Sequence, residues 1–341
     1  MAASMTNPVY TANLIASNGQ KYRLKGITTD LITAHEDKDI AEKVTITVAN
    51  VKVGKKQLHS LIKLRDKIYV YANTGSGAKE VFRGIVWERQ FDRTSDSKEI
   101  KLICYDKLIY LMNSKDNLFV KKGTTTKDAV TNLAKKWGLK IKYSYKSISN
   151  KKIVYRSETI SDILVSLLNK AKKETGVGYV IRFEKNVLVI EPQGNNKTVY
   201  KIESGDNALS SSYNETMDGM ITKVKIVKAE TKKKKDSEEE TGRYITVANV
   251  KGNTKKYGTL QEILEKNKDD KMSKVKKEAQ NMIKKDGTPK KDISVTAIDN
   301  PWIKKGHKVY INTDYLKNYY IVKGIEHDAN NHTMTLEVRK A

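Results

Sequence analysis

The chain holds one cysteine, four prolines and four phenylalanines in 341 residues, and it has no long apolar run. A lone thiol, Cys104, excludes an internal disulfide, and its setting between Ile103 and Tyr105 suits a small core residue better than a nucleophile. No stretch approaches the roughly 18 apolar residues of a spanning helix, so no membrane insertion is expected. Met1 to Asn18 lacks a charged region followed by an apolar core, so it does not read as a secretory signal and a chain made in a cytoplasm is expected. Hydrophobic residues make up 38%, below the about 45–50% of ordinary globular domains, a shortage that thin barrels or assembling subunits accommodate. Tyrosine, 18 against 4 phenylalanines, supplies most of the aromatic area, and its hydroxyls suit half-wet interfaces.

What the chain has in excess is positive charge, +25 in all. Such a balance first suggests a nucleic acid or an anionic surface. Only nine of the 65 basic residues are arginine, so planar forks for phosphates and bases are scarce. Acidic residues interleave almost everywhere, and the densest basic run, Lys232 to Lys235, is followed by Asp236, Glu238, Glu239 and Glu240. That pattern reads as a solvated charged loop over 228–242.

Two stretches far apart in the chain share one pattern. Lys67 to Tyr71, a Gly/Ser loop, Val81 to Val86 and Ile100 to Cys104 recur as Lys308 to Asn312, a polar loop, Tyr320 to Ile325 and Thr333 to Val338. Aligning Tyr69 with Tyr310 brings Gly84 near Gly324, and a repeat of that period points to two copies of a whole domain.

Around these copies, alternating runs predict strands from Val9 to Val48, including Val44, Ile46 and Val48. Short strands with local turns indicate an antiparallel barrel or sandwich. Val130, Leu133, Ala134 and Trp137 fall at helical spacing behind Thr124 to Thr126 and before Gly138, which predicts a helix with Trp137 in its core face. Ser161 to Lys173 predicts a second helix, and a hairpin follows around Glu184 to Asn186. Thr259 to Asp286 reads as helical, with a break near Asp269 and Asp270. The expected fold class is therefore α+β: two related antiparallel β-barrel domains, a small α/β domain between them and a helical insert in the second barrel. The expected boundaries are 1–112 for the first barrel, 113–197 for the α/β domain and 198–341 for the second barrel, with its insert at about 258–287.

No catalytic motif emerges. Asn73 to Lys79 is glycine-rich, but Glu80 stands where a phosphate-binding loop needs Ser or Thr, so a hairpin loop is expected. His35, His59, His307, His327 and His332 show no metal-ligand spacing; His327 and His332 flank a turn, and a third ligand is not evident. No metal and no cofactor are expected. Trp302, in a loop ahead of a strand, is a possible interface anchor, with local packing the plainer alternative.

Phe82-Arg-Gly-Ile-Val86, Ile100-Lys-Leu-Ile-Cys-Tyr-Asp-Lys-Leu108, Asp299-Asn-Pro-Trp-Ile-Lys-Lys-Gly-His-Lys-Val309, Tyr320-Ile-Val-Lys-Gly-Ile-Glu-His327 and Thr333-Met-Thr-Leu336 together resemble the XkdQ/YqbQ proteins of PBSX-like prophages. These group with baseplate hub proteins of contractile phage tails, R-type bacteriocins and related injection systems. The resemblance implies a non-enzymatic homotrimer in which two barrels per subunit form a ring joining a six-fold tail tube to a three-fold spike. Its implied partners are the tail tube protein, the spike protein and other baseplate proteins, and its implied destination is the baseplate of a phage tail or phage-like particle. Gly84 and Gly324 take no binding role and are expected to permit a bulge or a close strand approach. Two other readings remain: a basic nucleic-acid-binding protein, from the net charge, and a tail-associated cell-wall hydrolase, because some hub proteins carry lytic domains.

Overall fold

The computed structural model describes residues 7–94, 98–234, 237–267 and 269–341. The first six residues, and Lys235 and Asp236 of the charged run, lie outside the described residues.

The N-terminal region alternates inward apolar and outward polar residues, so its strands pair around one core. They are β1 (Val9–Ile15), β2 (Lys21–Arg23), β3 (Thr28–His35), β4 (Lys43–Ala49), the short β5 (Lys52–Val53) and β6 (Lys56–Gln57), then β7 (Lys67–Asn73), β8 (Ala78–Arg93) and β9 (Lys98–Tyr105). One-turn helices α1 (Leu58–Leu61) and α2 (Ile109–Met112) follow β6 and β9. In β4, Val44, Ile46 and Val48 are fully buried while the threonines between them are not. Leu14, Leu24, Leu31, Ile46, Ile68, Val70 and Leu102 belong to a single cluster to which every long strand of this region contributes.

The next segment holds β10 (Lys115–Val120), α3 (Thr126–Lys136), β11 (Lys140–Tyr143), β12 (Ile153–Thr159), α4 (Ile160–Thr175), β13 (Tyr179–Glu184) and β14 (Val187–Pro192). Both long helices begin with a threonine cap: Thr125 accepts from the Asp128 amide and Thr159 from that of Asp162. Gly176 ends α4 in the left-handed region at φ 72°, where a side chain would be strained. Ile163, Leu164, Leu167 and Leu168 form the buried face of α4. Trp137 is only half-buried, because it stands at the C-cap of α3 with its indole N–H 3.2 Å from Asp116.

The chain then forms β15 (Tyr200–Glu203) and β16 (Ala208–Thr216), followed by β17 (Lys223–Lys234), β18 (Ser237–Lys251), α5 (Thr254–Tyr257), β19 (Gln261–Glu265) and α6 (Met272–Asp286). The closing strands are β20 (Lys290–Ile298), β21 (Lys308–Asn312), β22 (Lys317–Asp328) and β23 (Thr333–Lys340). Two compact units result, one of Met1–Ser212 with Ile293–Ala341 and the other of Tyr213–Asp292.

Inside the second unit, two expectations change. The charged segment 228–242 is not a loop: β17 runs through it to Lys234 and pairs with β18, Lys232 facing Glu239 in register. Backbone bonding to a long partner strand decides the conformation there. The stretch 259–286 is not helical throughout, since Gln261–Glu265 is a strand lying parallel to Lys223–Val227. Five residues hold too short an apolar pattern for periodicity to separate strand from helix, and the free side of β17 recruits them. The helix α6 begins only at Met272 and buries Val275 and Ala279, four residues apart, on one face.

The first unit is mostly antiparallel sheet with few helices, and a single thirteen-stranded sheet runs through it in the order β16-β20-β23-β22-β3-β4-β9-β8-β7-β1-β2, with β21 beside β22 and β15 beside β21. Strand register displays the repeat. Lys67 faces Ile85 and Tyr69 faces Arg83, while Lys308 faces Ile321 and Tyr310 faces Tyr319. Val86 faces Cys104 and Val322 faces Val338, and each is followed by a one-residue bulge, at Trp87 and Lys323. Ile46 faces Leu102 as Val295 faces Leu336. Counted by register, Gly84 corresponds to Tyr320 and Gly324 to Glu88. The two glycines that sequence alignment brings together are thus four positions apart in the structure. One pairing differs in direction, β1 running antiparallel to β7 and β15 parallel to β21.

Candidate functional site

A dense polar grouping lies within the first unit, where β1, β3, Glu42 just before β4, β8, β13, β22 and the loop from Asp299 to His307 converge on a cavity of about 80 Å³. Burial of charge is costly unless every group is paired, so its hydrogen bonds explain its existence. Arg182, 8% exposed, donates through Nε to Glu184 at 3.0 Å, through Nη1 to the Lys305 carbonyl at 2.9 Å and through Nη2 to Glu191. Lys304 reaches Glu184 at 3.0 Å. Burial pushes the Glu184 carboxyl up, but Lys304 and Arg182 outweigh it and hold the group down to about 2. Lys305 donates to three carbonyls of the loop after β3, those of Glu36, Asp37 and Asp39, at 2.6, 3.0 and 2.7 Å. Its burial brings the ammonium down to about 8.

Beside this network, Asp299 uses one oxygen on His327 Nδ1 and accepts from the Tyr10 hydroxyl on the other, both at 2.6 Å. The carboxylate is thereby spent on tying β1 to β22 and the Asp299 loop. His35, 3% exposed, lines the same cavity, and its Nε2 has no hydrogen-bond partner among the described residues. Burial first, then the nearby Lys305 and Arg182 charges, keeps that imidazole neutral. The hydrogen bonds of this grouping clamp three chain segments together.

Trp302 is half-buried beside this loop, with the Lys79 ammonium 5.4 Å from its ring centroid. Gly84 packs so close to β9 that a Cβ there would stand 2.3 Å from the Tyr105 carbonyl oxygen. Gly324 directly follows the β22 bulge, with its Cβ position 3.2 Å from the Asp37 amide. Cys104 is wholly buried, and burial pushes its thiol up, away from thiolate chemistry. His327 turns to Asp299 rather than to His332, and among the described residues no three His, Cys, Asp or Glu side chains are grouped so that they could hold a metal ion. The sequence did not single out Arg182, Glu184, Glu42 or Lys305. The signal nearest to them was the Asp299 to Val309 motif, which carries Lys304 and Lys305.

The remaining candidates are partly exposed aromatic residues of β8. Trp87, pushed outward by the β8 bulge, meets Tyr110 edge to face with ring centroids 5.7 Å apart, and Phe91 further along β8 is 49% exposed. No helix among the described residues is long and apolar enough to cross a membrane.

A family described as YQBQ-like matches residues 34–339. The phage-like element PBSX protein XkdQ of Bacillus subtilis (strain 168) is 26% identical over 271 residues, covering 76% of this chain and 78% of its own. Among solved structures, the 43 kDa tail protein of prophage MuSo2 from Shewanella oneidensis has a TM-score of 0.67 at 13% identity, covering 98% of both chains. A component of the E. coli type VI secretion system, described as structurally similar to the bacteriophage tail proteins gp27 and gp5, has a TM-score of 0.51 at 7% identity, covering all of this chain and 75% of its own.

Proposed function

The chain belongs to the YQBQ-like family, and from that premise we propose that it is a structural baseplate protein of a contractile tail or phage-like injection particle, a homotrimeric hub that joins a six-fold tail tube to a three-fold spike. The observation that carries this reading is the repeated register: each half presents the same three-strand meander, the same bulge and the same fourth strand against the last. Two such modules in each of three copies make six near-equivalent positions, which is what a connector between six-fold and three-fold parts requires.

A barrel-like wrap of each half fits the way its core is shared. Residues from β1 and β2 at one end of the first half and from β3 at the other belong to one cluster, and β20 to β23 surround another with Val295, Val309, Val322 and Leu336. Tail tube protein, spike protein and other baseplate proteins are the partners of this role, with Trp302 as a candidate anchor. The role is non-enzymatic: the buried charges serve cohesion, and the resting place of the protein is an assembled particle.

Mass measurement of the full chain at micromolar concentration, alone and with its cognate spike protein, tests the reading. A trimer in either mixture is the expected result, and a strict monomer in both overturns it.

A further inference from the structure

The repeat lets one junction inside the chain be read as the template for another between chains. In the second half, β22 has β23 along one side; on the other side β21 covers it before the bulge and β3, from the first half, covers Ile325 to Asp328 after it. The first half has the same parts. There β8 has β9 along one side and β7 before the bulge, yet among the described residues no strand covers the stretch after it, Glu88 to Arg93. By register, Arg89 to Asp92 occupy the places of Ile325 to Asp328.

Exposure marks the vacancy. His327 faces Met334 on the inner side of its sheet and is 7% exposed, because Thr33 of β3 lies against it. Its counterpart Phe91 faces Ile100, also inward, and is 49% exposed. Phe91 meets the His59 ring edge to face at 5.6 Å and the Arg89 guanidinium 5.3 Å from its centroid, yet about half of it stays open along an edge that no described strand covers, which marks an unfinished sheet.

The strand that would finish it is also identifiable. As β3 pairs β4, so β16 pairs β20, the strand corresponding to β4. Ala49 donates its amide to the Ile27 carbonyl, and the corresponding Ile298 donates to Asn207, so Asn207 holds the place of Ile27. Counting on from it, with β16 given the one-residue bulge that β3 has at Thr29, puts Tyr213 at the position of Thr33 and Glu215 at that of His35; Lys291, 5.9 Å from the Tyr213 ring centroid and 3.6 Å from Glu215, fits that register. Among the described residues β16 pairs with β20 and, at Ala208, bridges Ser204, while no strand lies on its other side from Leu209 on; Tyr213, whose hydroxyl donates to Glu215 at 3.1 Å, is 42% exposed.

The geometry points to strand addition between copies: β16 of one molecule pairs antiparallel with Arg89–Asp92 of β8 in the next, setting Tyr213 against Phe91 and Glu215 against Arg89. The partner is a second copy of this chain, joined head to tail through two different edges, so the contact propagates until it closes. It reproduces between molecules the β3 to β22 junction already made within one. The count of three copies rests on the ring proposed above; the choice of edges rests on the register alone.

The test is a paired-cysteine variant of the full chain, F91C with Y213C, oxidised mildly beside each single variant; buried Cys104 stays reduced. Disulfide-linked species that accumulate and stop at the trimer, absent from both singles, are the expected result. A second variant, F91E, changes an exposed residue and should leave the monomer folded by circular dichroism while weakening self-association about tenfold or more. A parent protein that forms trimers, with no cross-link in F91C/Y213C and unchanged association in F91E, overturns this strand pairing and leaves the hub reading standing. A linked series that runs past three supports the edges and overturns the threefold ring. A parent that stays monomeric with and without its spike overturns both.

Discussion

Glu42 lies where the polar network meets β4, and burial raises its carboxyl to about 7 from an ordinary 4.5, with Glu184 adding to the rise and Lys304, His327 and Arg182 opposing it. Its amide also bonds the buried Asp106 carboxylate at 3.0 Å. Because the folded chain holds this proton more tightly than the unfolded one, its stabilising effect is full below about pH 4.5 and is lost as pH rises through about 7. Glu42→Gln should therefore exceed the parent in stability at pH 8 by about 1–3 kcal/mol and match it near pH 4, as read by urea unfolding. Equal differences at both pH values would contradict the assignment. Glu184 works in the opposite sense: its lowered value adds stability above its ordinary range, lost as pH falls towards 2. None of this was legible in the sequence. Glu42, Arg182 and Lys304 are each more than a hundred residues apart, and no local pattern marks residues whose chemistry comes from neighbours the fold alone supplies.

At the scale of strands and helices, alternation and capping carried the reading well where a segment packs on one side. The alternating burial of β4 and the threonine cap of α3 follow directly from residue order, whereas the Thr159 cap of α4 lies two residues before the start that residue order predicts at Ser161. Reading failed where a partner strand decides, as at 228–242 and 261–265. It also mispaired the glycines: identity of residue type aligned Gly84 with Gly324, whereas hydrogen-bond register aligns Gly84 with Tyr320. The glycine in β8 has its own cause, since β9 passes too close for a side chain. Gly84→Ala drives a methyl against the Tyr105 carbonyl and the Phe82 ring and should cost about 2–3 kcal/mol in chemical denaturation. Gly54→Ala, in open space at φ 61°, should cost about 1 kcal/mol from backbone strain alone. A smaller loss at Gly84 than at Gly54 would refute the close-approach account.

Across the whole molecule, the first unit is held as one sheet by the pairing of β22 with β3 and by Lys305 on the carbonyls that follow β3. Cutting the chain should therefore do more than separate two folded modules. A fragment of residues 1–197 lacks β22 and so bares the β3 edge with His35, Thr33 and Ala34, all buried in the full chain. It should self-associate or aggregate at concentrations where the full chain is well behaved, measured by light scattering. A fragment that remains monomeric and as stable as the parent would show that the junction is dispensable. Residue order alone determined that the chain is strand-rich, that a β-module occurs twice and that capped helices lie between the copies, because alternation, caps and repeats are written locally. Only the tertiary structure decided the register of that repeat, the buried ion network and which strand edges are covered and which left open. Those depend on hydrogen bonds and charges brought together from distant parts of the chain, and no spacing along it encodes them.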